Sequence, residues 1–234
     1  MLNFKQLWAE DDANEATKIE KMPADVRALG VLRSQIVDGS IRPGSRLTEV
    51  QLSEGMGLSR ATVRTALHQL GKEGLVSLVP YTGWTVVELT HQDVWELYTL
   101  RGAIERLAAQ FAATNADNEA MSRIEAAFDR LKNTVTESSE TIAEADFGFH
   151  KSIIDESGHS RLKQQYKLIE QQIRVFIRSS NLLIEDPLEI IVQHEPIWNA
   201  IRERDSVLAG TLAEQHNITE GQKLTGSLSR PDGD

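Results

Sequence analysis

The sequence predicts a mainly α-helical protein in two parts: a small N-terminal domain of three short helices and a β-hairpin, then a larger all-α bundle. Three observations predict it. Gly and Pro punctuate the chain up to about residue 90, in DGSIRPGSRL, EGMGLSR, GKEGL and VPYTGW. Beyond that point they thin out and long apolar periods of 3.6 residues take over. Aromatic residues are only 6% of the chain, which disfavours a β-rich sandwich, and 234 residues suffice for one large or two small domains.

Taken in order, residues 1–21 read as a tail. Residues 24–38 (ADVRALGVLRSQIVD) read as a helix with Val26, Leu29, Leu32 and Ile36 on one face, ended by Gly39. A short helix over 48–56 begins at Thr48, Gly57-Leu58-Ser59 makes a turn, and a further helix covers 60–73. SLV, a turn at Tyr81-Thr82-Gly83 and WTVVEL form a two-stranded hairpin. Over residues 22–88 this order describes a winged helix-turn-helix. Six helices follow, roughly 91–114, 117–136, 139–157, 160–182, 187–203 and 205–222, as a helical bundle over residues 91–222. Residues 223–234 are expected to form a flexible tail.

Composition narrows the function. There is no Cys, so disulfide and thiolate chemistry are excluded. No apolar run approaches the roughly 18–20 residues that span a bilayer. The acidic N-terminus lacks the apolar core of a secretory signal, so a cytoplasmic protein with no membrane partner is expected. The net charge of −10 argues against a protein that coats nucleic acid with its whole surface. The charge is unevenly placed, however. Residues 1–21 carry three Lys and five acids, and residues 91–234 carry fifteen Lys/Arg and twenty-four acids. Residues 22–90, with seven Lys/Arg and six acids, are the only segment that is not acidic.

Within that segment, Arg60, Arg64, His68 and Lys72 recur every four residues, each about 40° from the last on a helix. Ser59, Thr62 and Thr65 lie beside the N-terminal end of this stripe, Val63, Leu67 and Leu70 form the opposite side, and no acid occurs between Glu54 and Glu73. A helix that enters the major groove needs cations for phosphates and Arg for base edges.

In the helical half, polar residues interrupt apolar stripes. The helix over 139–157 reads Ile142, Asp146, Phe149, His150, Ile153; that over 187–203 reads Ile190, Ile191, His194, Ile197, Ile201; that over 205–222 reads Leu208, Leu212, His216. One carboxylate and three imidazoles thus point inward from three helices. A buried charge must be paired or bound to metal. Asp146, His150, His194 and His216 suit a borderline divalent ion, zinc first, with nickel, manganese or iron also fitting. A hydrogen-bonded Asp146–His150 pair among core histidines is the alternative. His91 and His159, at helix starts, read as surface or capping residues. A further anomaly is Arg101, in the seam Val94, Leu97, Arg101, Ile104, Ala108, Phe111. It either pairs with Glu105 one turn on or binds a carboxylate ligand that bridges to the metal. Arg174 and Arg178 read as solvated or acid-paired.

The stretch SIRPGSRLTEVQLSEGMGLSRATVRTALHQLGKEGLV resembles the DNA-binding domain of GntR-type transcriptional regulators, over roughly residues 24–88. The resemblance implies base or phosphate contacts from Arg60 and Arg64, with Ser59 and Thr62 nearby; His68 belongs to the same stripe. Two positions depart from the pattern: Val50 stands where the family carries Arg, and Thr82 stands where the wing carries a basic residue. The helical half resembles the FCD domain of the FadR-type branch, in LRxxIE at Leu100–Glu105, DxxxH at Asp146–His150, HxxIxxAI at His194–Ile201 and the lone His216. In metal-binding members the Asp and three His at these places hold the ion, and the Arg of LRxxIE meets the effector's carboxylate. Six helices imply the shorter, VanR-like version. Pro196, just after His194, is expected to bend or start a helix.

Together these imply a metabolite-responsive regulator, a repressor, that binds a pseudo-palindromic operator DNA as a homodimer and takes a small carboxylate effector against a divalent metal. Two alternatives stand: a metal-dependent enzyme using the Asp/His site, and a DNA-binding protein whose metal is purely structural.

Overall fold

The computed structural model describes residues 22–80, 82–88 and 90–228. The N-terminal tail of the sequence reading, Tyr81 of its hairpin turn and residues 229–234 lie outside the described residues. Helix α1 (Ala24–Val37) buries Ala28, Leu32 and Ile36. Val26, expected on that face, is 43% exposed, because Ala28 takes the inward position. Helix α2 (Glu49–Met56) starts at an N-cap, where the Thr48 hydroxyl accepts from the Gln51 amide, and ends at Gly57 in the left-handed conformation at φ 64°. Helix α3 (Arg60–Lys72) starts at Ser59, whose hydroxyl accepts from the Thr62 amide. It buries Val63, Ala66, Leu67 and Leu70, leaving the basic stripe outward.

The wing consists of β2 (Val76–Val79) and β3 (Gly83–Val86), antiparallel. A two-residue strand, β1 (Arg46–Leu47), joins the other edge of β3 and gives the order β1-β3-β2. The sequence reading contained only the hairpin; two residues are too short to show an alternation. Leu47, Trp84 and Val86 close this sheet on the core of α1 and α3.

The helical domain contains α4 (His91–Asn115), α5 (Asn118–Asn133), α6 (Ser139–Glu156), α7 (Ser160–Asn181), α8 (Leu188–Arg202) and α9 (Ser206–Leu228). A reciprocal capping box between Thr90 and Asp93 starts α4. Asp117, Ser138 and His159 cap α5, α6 and α7, so His159 has the capping role expected of it. Helix α8 runs through Pro196 without a break, because buried His194, Ile197 and Trp198 hold both sides of it in the core. Helix α9 departs from expectation twice. It extends to Leu228, so residues 223–228 are helical rather than tail, anchored by Leu224 at 3% exposure. Its buried face is Ala209, Gly210, Ala213, Asn217, Glu220, Gly221 and Leu224, while Leu208 is 44% exposed. His216 therefore stands at the edge of that face, half-buried.

Helix α7 also joins the two domains. Gln172 Nε2 donates to the Glu73 carbonyl at 3.2 Å, and Val175 packs against both cores.

Candidate DNA-reading helix and metal centre

On α3, Arg60, Arg64 and His68 are exposed. The Ser59 hydroxyl lies 2.8 Å from that of Thr62, so these two hydroxyls serve the helix cap at the exposed end of the stripe. His68 stands edge-on to Trp84 of the wing, ring centroids 5.0 Å apart. Arg64 is not free: its Nε and Nη2 donate to the two carboxylate oxygens of Glu49, each at 2.7 Å. Sequence reading missed Glu49, since the partner lies fifteen residues away on another helix.

In the helical domain, α6, α8 and α9 bring together the four residues expected to meet. Donor atoms of His150, His194 and His216 lie within 4.8 Å of one another. Asp146 Oδ1 is 3.3 Å from His150 Nε2 and 3.2 Å from His194 Nε2. The outer atoms of these side chains are tied down. His150 Nδ1 lies 2.8 Å from Glu105 Oε2, and His194 Nδ1 lies 2.6 Å from the Ile190 carbonyl. Asp146 Oδ2 accepts from Asn181 Nδ2 at 2.9 Å.

Those outer bonds fix the tautomers. With Nδ1 donating in both rings, each Nε2 carries a lone pair. Yet the two Nε2 atoms are 2.9 Å apart, with Asp146 Oδ1 beside them. Among the described residues this buried oxygen has no well-directed hydrogen bond. Two lone pairs and a carboxylate oxygen repel at such distances unless a proton or a cation lies among them. The donor set, with its hydrogen-bonded outer shell, fits a divalent cation.

Protonation follows the same logic. Burial pushes the Asp146 carboxyl up, but His194 and His150 outweigh it and hold the group well below the usual carboxylate range. Burial and the neighbouring His194 and His150 push His216 well below the ordinary imidazole value, so it stays neutral. Burial and Arg101 lower the proton affinity of His150, but Glu105 and Asp146 together outweigh them and raise it. An ionised carboxylate and neutral imidazole are the forms that ligate metal.

Arg101, 2% exposed, donates through Nε to Glu105 Oε1 at 2.8 Å. The ion pair named in the sequence reading is therefore present. Glu105 also accepts from Tyr166 Oη at 3.0 Å and Asn217 Nδ2 at 2.8 Å. Arg101 Nη2 nonetheless remains buried with no partner among the described residues. Arg174 is paired with Glu144 and Glu170 and stacks on Phe147. Among the described residues no helix is long and apolar enough to cross a membrane.

Comparison with known proteins identifies both halves of the chain. Residues 26–86 match the model for bacterial regulatory proteins of the gntR family, and residues 96–219 match the FCD domain. The chain is 29% identical over 182 residues to the HTH-type transcriptional regulator YdhC of Bacillus subtilis, covering 76% of this chain and 80% of YdhC. It is 26% identical over 208 residues to the gluconate operon transcriptional repressor of the same organism, covering 86% and 85%. The crystal structure of a GntR regulator from Rhodococcus sp. RHA1 shares the fold with a TM-score of 0.72 at 24% identity, covering 87% of this chain and 98% of that one. These are regulators, and the enzyme alternative does not stand beside them. The chain thus belongs to the GntR family of transcriptional regulators, with an N-terminal winged helix-turn-helix that binds operator DNA and a C-terminal FCD domain.

Proposed function

We propose that the protein is a metabolite-responsive repressor whose FCD domain binds a divalent metal through Asp146, His150, His194 and His216. Zinc suits three imidazoles and a carboxylate, and nickel, manganese and iron accept the same donors. The observation that carries this reading is the convergence of two lone-pair Nε2 atoms 2.9 Å apart on a buried carboxylate oxygen that lacks a hydrogen bond. A bound ion would supply a Lewis-acid position for an oxygen ligand.

The effector in this reading is a small organic acid. Arg101 offers a buried, unpartnered Nη2 beside the cluster, and a guanidinium fork suits a carboxylate. In a dry interior a cation on one side and a metal on the other offset the desolvation of a carboxylate, which one exposed charge would not. A hydroxy, keto or dicarboxylic acid has the second oxygen needed to chelate. One relative governs a gluconate operon, and gluconate is a hydroxy acid of this class.

DNA is read by α3, through Arg60 and Arg64 with Ser59, Thr62 and His68 beside them, as a homodimer on a pseudo-palindromic operator. Support for the homodimer comes from an exposed apolar strip, Leu100 and Leu107 of α4 with Leu168 of α7, of the kind that marks a protein–protein contact.

Arg101→Lys tests the acid site. Lysine keeps a cation for Glu105 but has no second nitrogen. Metal content is expected to stay at the parental level. Calorimetric titration of an acid panel is expected to show the parent's best acid weakened at least about tenfold. Equal affinity in both proteins would remove Arg101 from the site. Metal-dependent stability with no response to any acid in the parent would instead assign the metal a structural role.

A further inference from the structure

We infer that Glu49 is a positioning residue of the DNA-reading surface: it grips one edge of the Arg64 guanidinium so that the opposite edge is presented to a guanine. The inference rests on the reading of Arg64 as a base-contacting residue, and adds a partner on α2 that sets its aim.

The geometry is specific. Glu49 is the first residue of α2, and Arg64 lies one turn into α3, across the Gly57–Ser59 turn. Two parallel bonds of 2.7 Å engage Nε and Nη2. A guanidinium has five N–H donors. Glu49 takes two, leaving both on Nη1 and one on Nη2. The end of the fork formed by Nη1 and Nη2 is therefore still bidentate, and that is the pair that guanine O6 and N7 accept.

Stability gives no sufficient reason for this pair. Arg64 is 55% exposed in its side chain, and ion pairs so placed add little to stability. Meanwhile a carboxylate on a DNA-facing surface repels phosphates. Arg60 and His68 also act on the Glu49 carboxyl, which places it within the field of the basic stripe rather than apart from it. Among charged groups near the head of α3, Glu49 is an acid amid cations. A free arginine must lose rotamer freedom when it docks on one base, whereas an arginine held before contact loses less. Val50, next in sequence and 42% exposed, supplies no cation of its own. Base reading here thus falls on the arginines of α3, and the aim of Arg64 matters more.

The test uses the full-length protein and a duplex that the parent selects from a randomised pool. Affinities are measured at fixed salt for that duplex, for versions with each G·C pair changed to A·T, and for a scrambled duplex. The proteins are the parent, Glu49→Gln, Arg64→Ala and the double variant. Glu49→Gln is expected to bind the selected duplex about tenfold more weakly and to lose discrimination at one G·C pair per half-site. It should bind the scrambled duplex as tightly as the parent or more tightly, since a repelling charge is gone. In the Arg64→Ala background the Glu49 substitution should cost nothing further. A purely structural Glu49 would weaken both duplexes together. If Arg64→Ala loses affinity while Glu49→Gln keeps parental discrimination at every pair, the positioning role is overturned. Parental binding by Arg64→Ala would overturn the base-reading assignment itself.

Discussion

Asp146 divides its two oxygens between two tasks. Oδ2 accepts from Asn181, while Oδ1 faces His150 and His194. Replacing it with Asn keeps the shape and the Asn181 contact but removes the charge that the proposed cation site needs. Asp146→Asn is therefore expected to lose metal content by elemental mass spectrometry. A ligand at a hundred times its Kd adds about 2.7 kcal/mol to stability. For a chain of this size that corresponds to about 5–10 °C in Tm. The parent should fall by that amount when chelator is added, and Asp146→Asn should not respond to chelator. Asp146, His150 and His194 were legible in the sequence because each is polar at a position where helical periodicity demands an apolar residue, whereas His216 was picked from a stripe, Leu208-Leu212-His216, that borders the buried face of α9 rather than forming it. Their supports were not. Asn181 and Tyr166 reach the site from α7, Asn217 sits beside His216 on α9 and reaches across to Glu105, and the Ile190 carbonyl belongs to the backbone, which no residue pattern records. Glu105 was visible only because it lies one turn from Arg101.

Helix α9 shows where periodicity misleads. Its large apolar residues, Leu208 among them, drew the expected core face toward themselves, whereas the buried face is mostly Ala and Gly with Asn217, Glu220 and Leu224. Small residues let the backbone of α9 approach α4 closely. At Gly221 an added Cβ would come within 2.9 Å of the Tyr98 side chain. Both helices are long and buried there, so neither can retreat without opening the core. Gly221→Val is expected to destabilise the protein by about 1–3 kcal/mol, measured by denaturant unfolding. Gly221→Ala removes the conformational cost of glycine in a helix, about 0.5–1 kcal/mol, and should therefore be milder. The other helices were legible to within a few residues because their caps are written in the sequence: Thr48, Ser59, Thr90, Asp117 and Ser138 each accept a backbone amide in the first turn. Pro196 carried the opposite signal, and the packing on either side of it outweighed the lost hydrogen bond.

In the proposed reading an effector site in the FCD domain must bias the DNA-reading helix, and α7 touches both. Near its start Tyr166 donates to Glu105, the partner of Arg101; at its end Asn181 donates to Asp146. Between them Gln172 donates to the carbonyl of Glu73, the C-cap residue of α3. The Glu73 carboxylate in turn accepts from Nε and Nη2 of Arg33 on α1, at 2.8 and 2.6 Å. The end of the reading helix is thus tied to α1 by an ion pair and to the helical domain by one side chain. Gly74, at φ 70°, leaves the space that Gln172 occupies. An effector that draws on Arg101 and the Asp146 cluster competes for the same groups that hold α7, so it acts on both ends of that helix. Contact alone does not establish coupling; a coupling free energy does. Such energies are typically about 1–3 kcal/mol, and they are reciprocal: acid changes operator affinity by the same factor that operator changes acid affinity. Gln172→Ala removes the link without touching either site. It is expected to keep parental metal content, parental acid affinity in the absence of DNA, and operator affinity without acid within about threefold. What should shrink is the ratio of operator affinities with and without acid. The matching ratio of acid affinities, measured with and without the operator duplex, should shrink by the same factor. If the variant keeps the parent's full ratio, the Gln172–Glu73 bond is not the route, and the coupling must run through other contacts between the domains, Val175 among them.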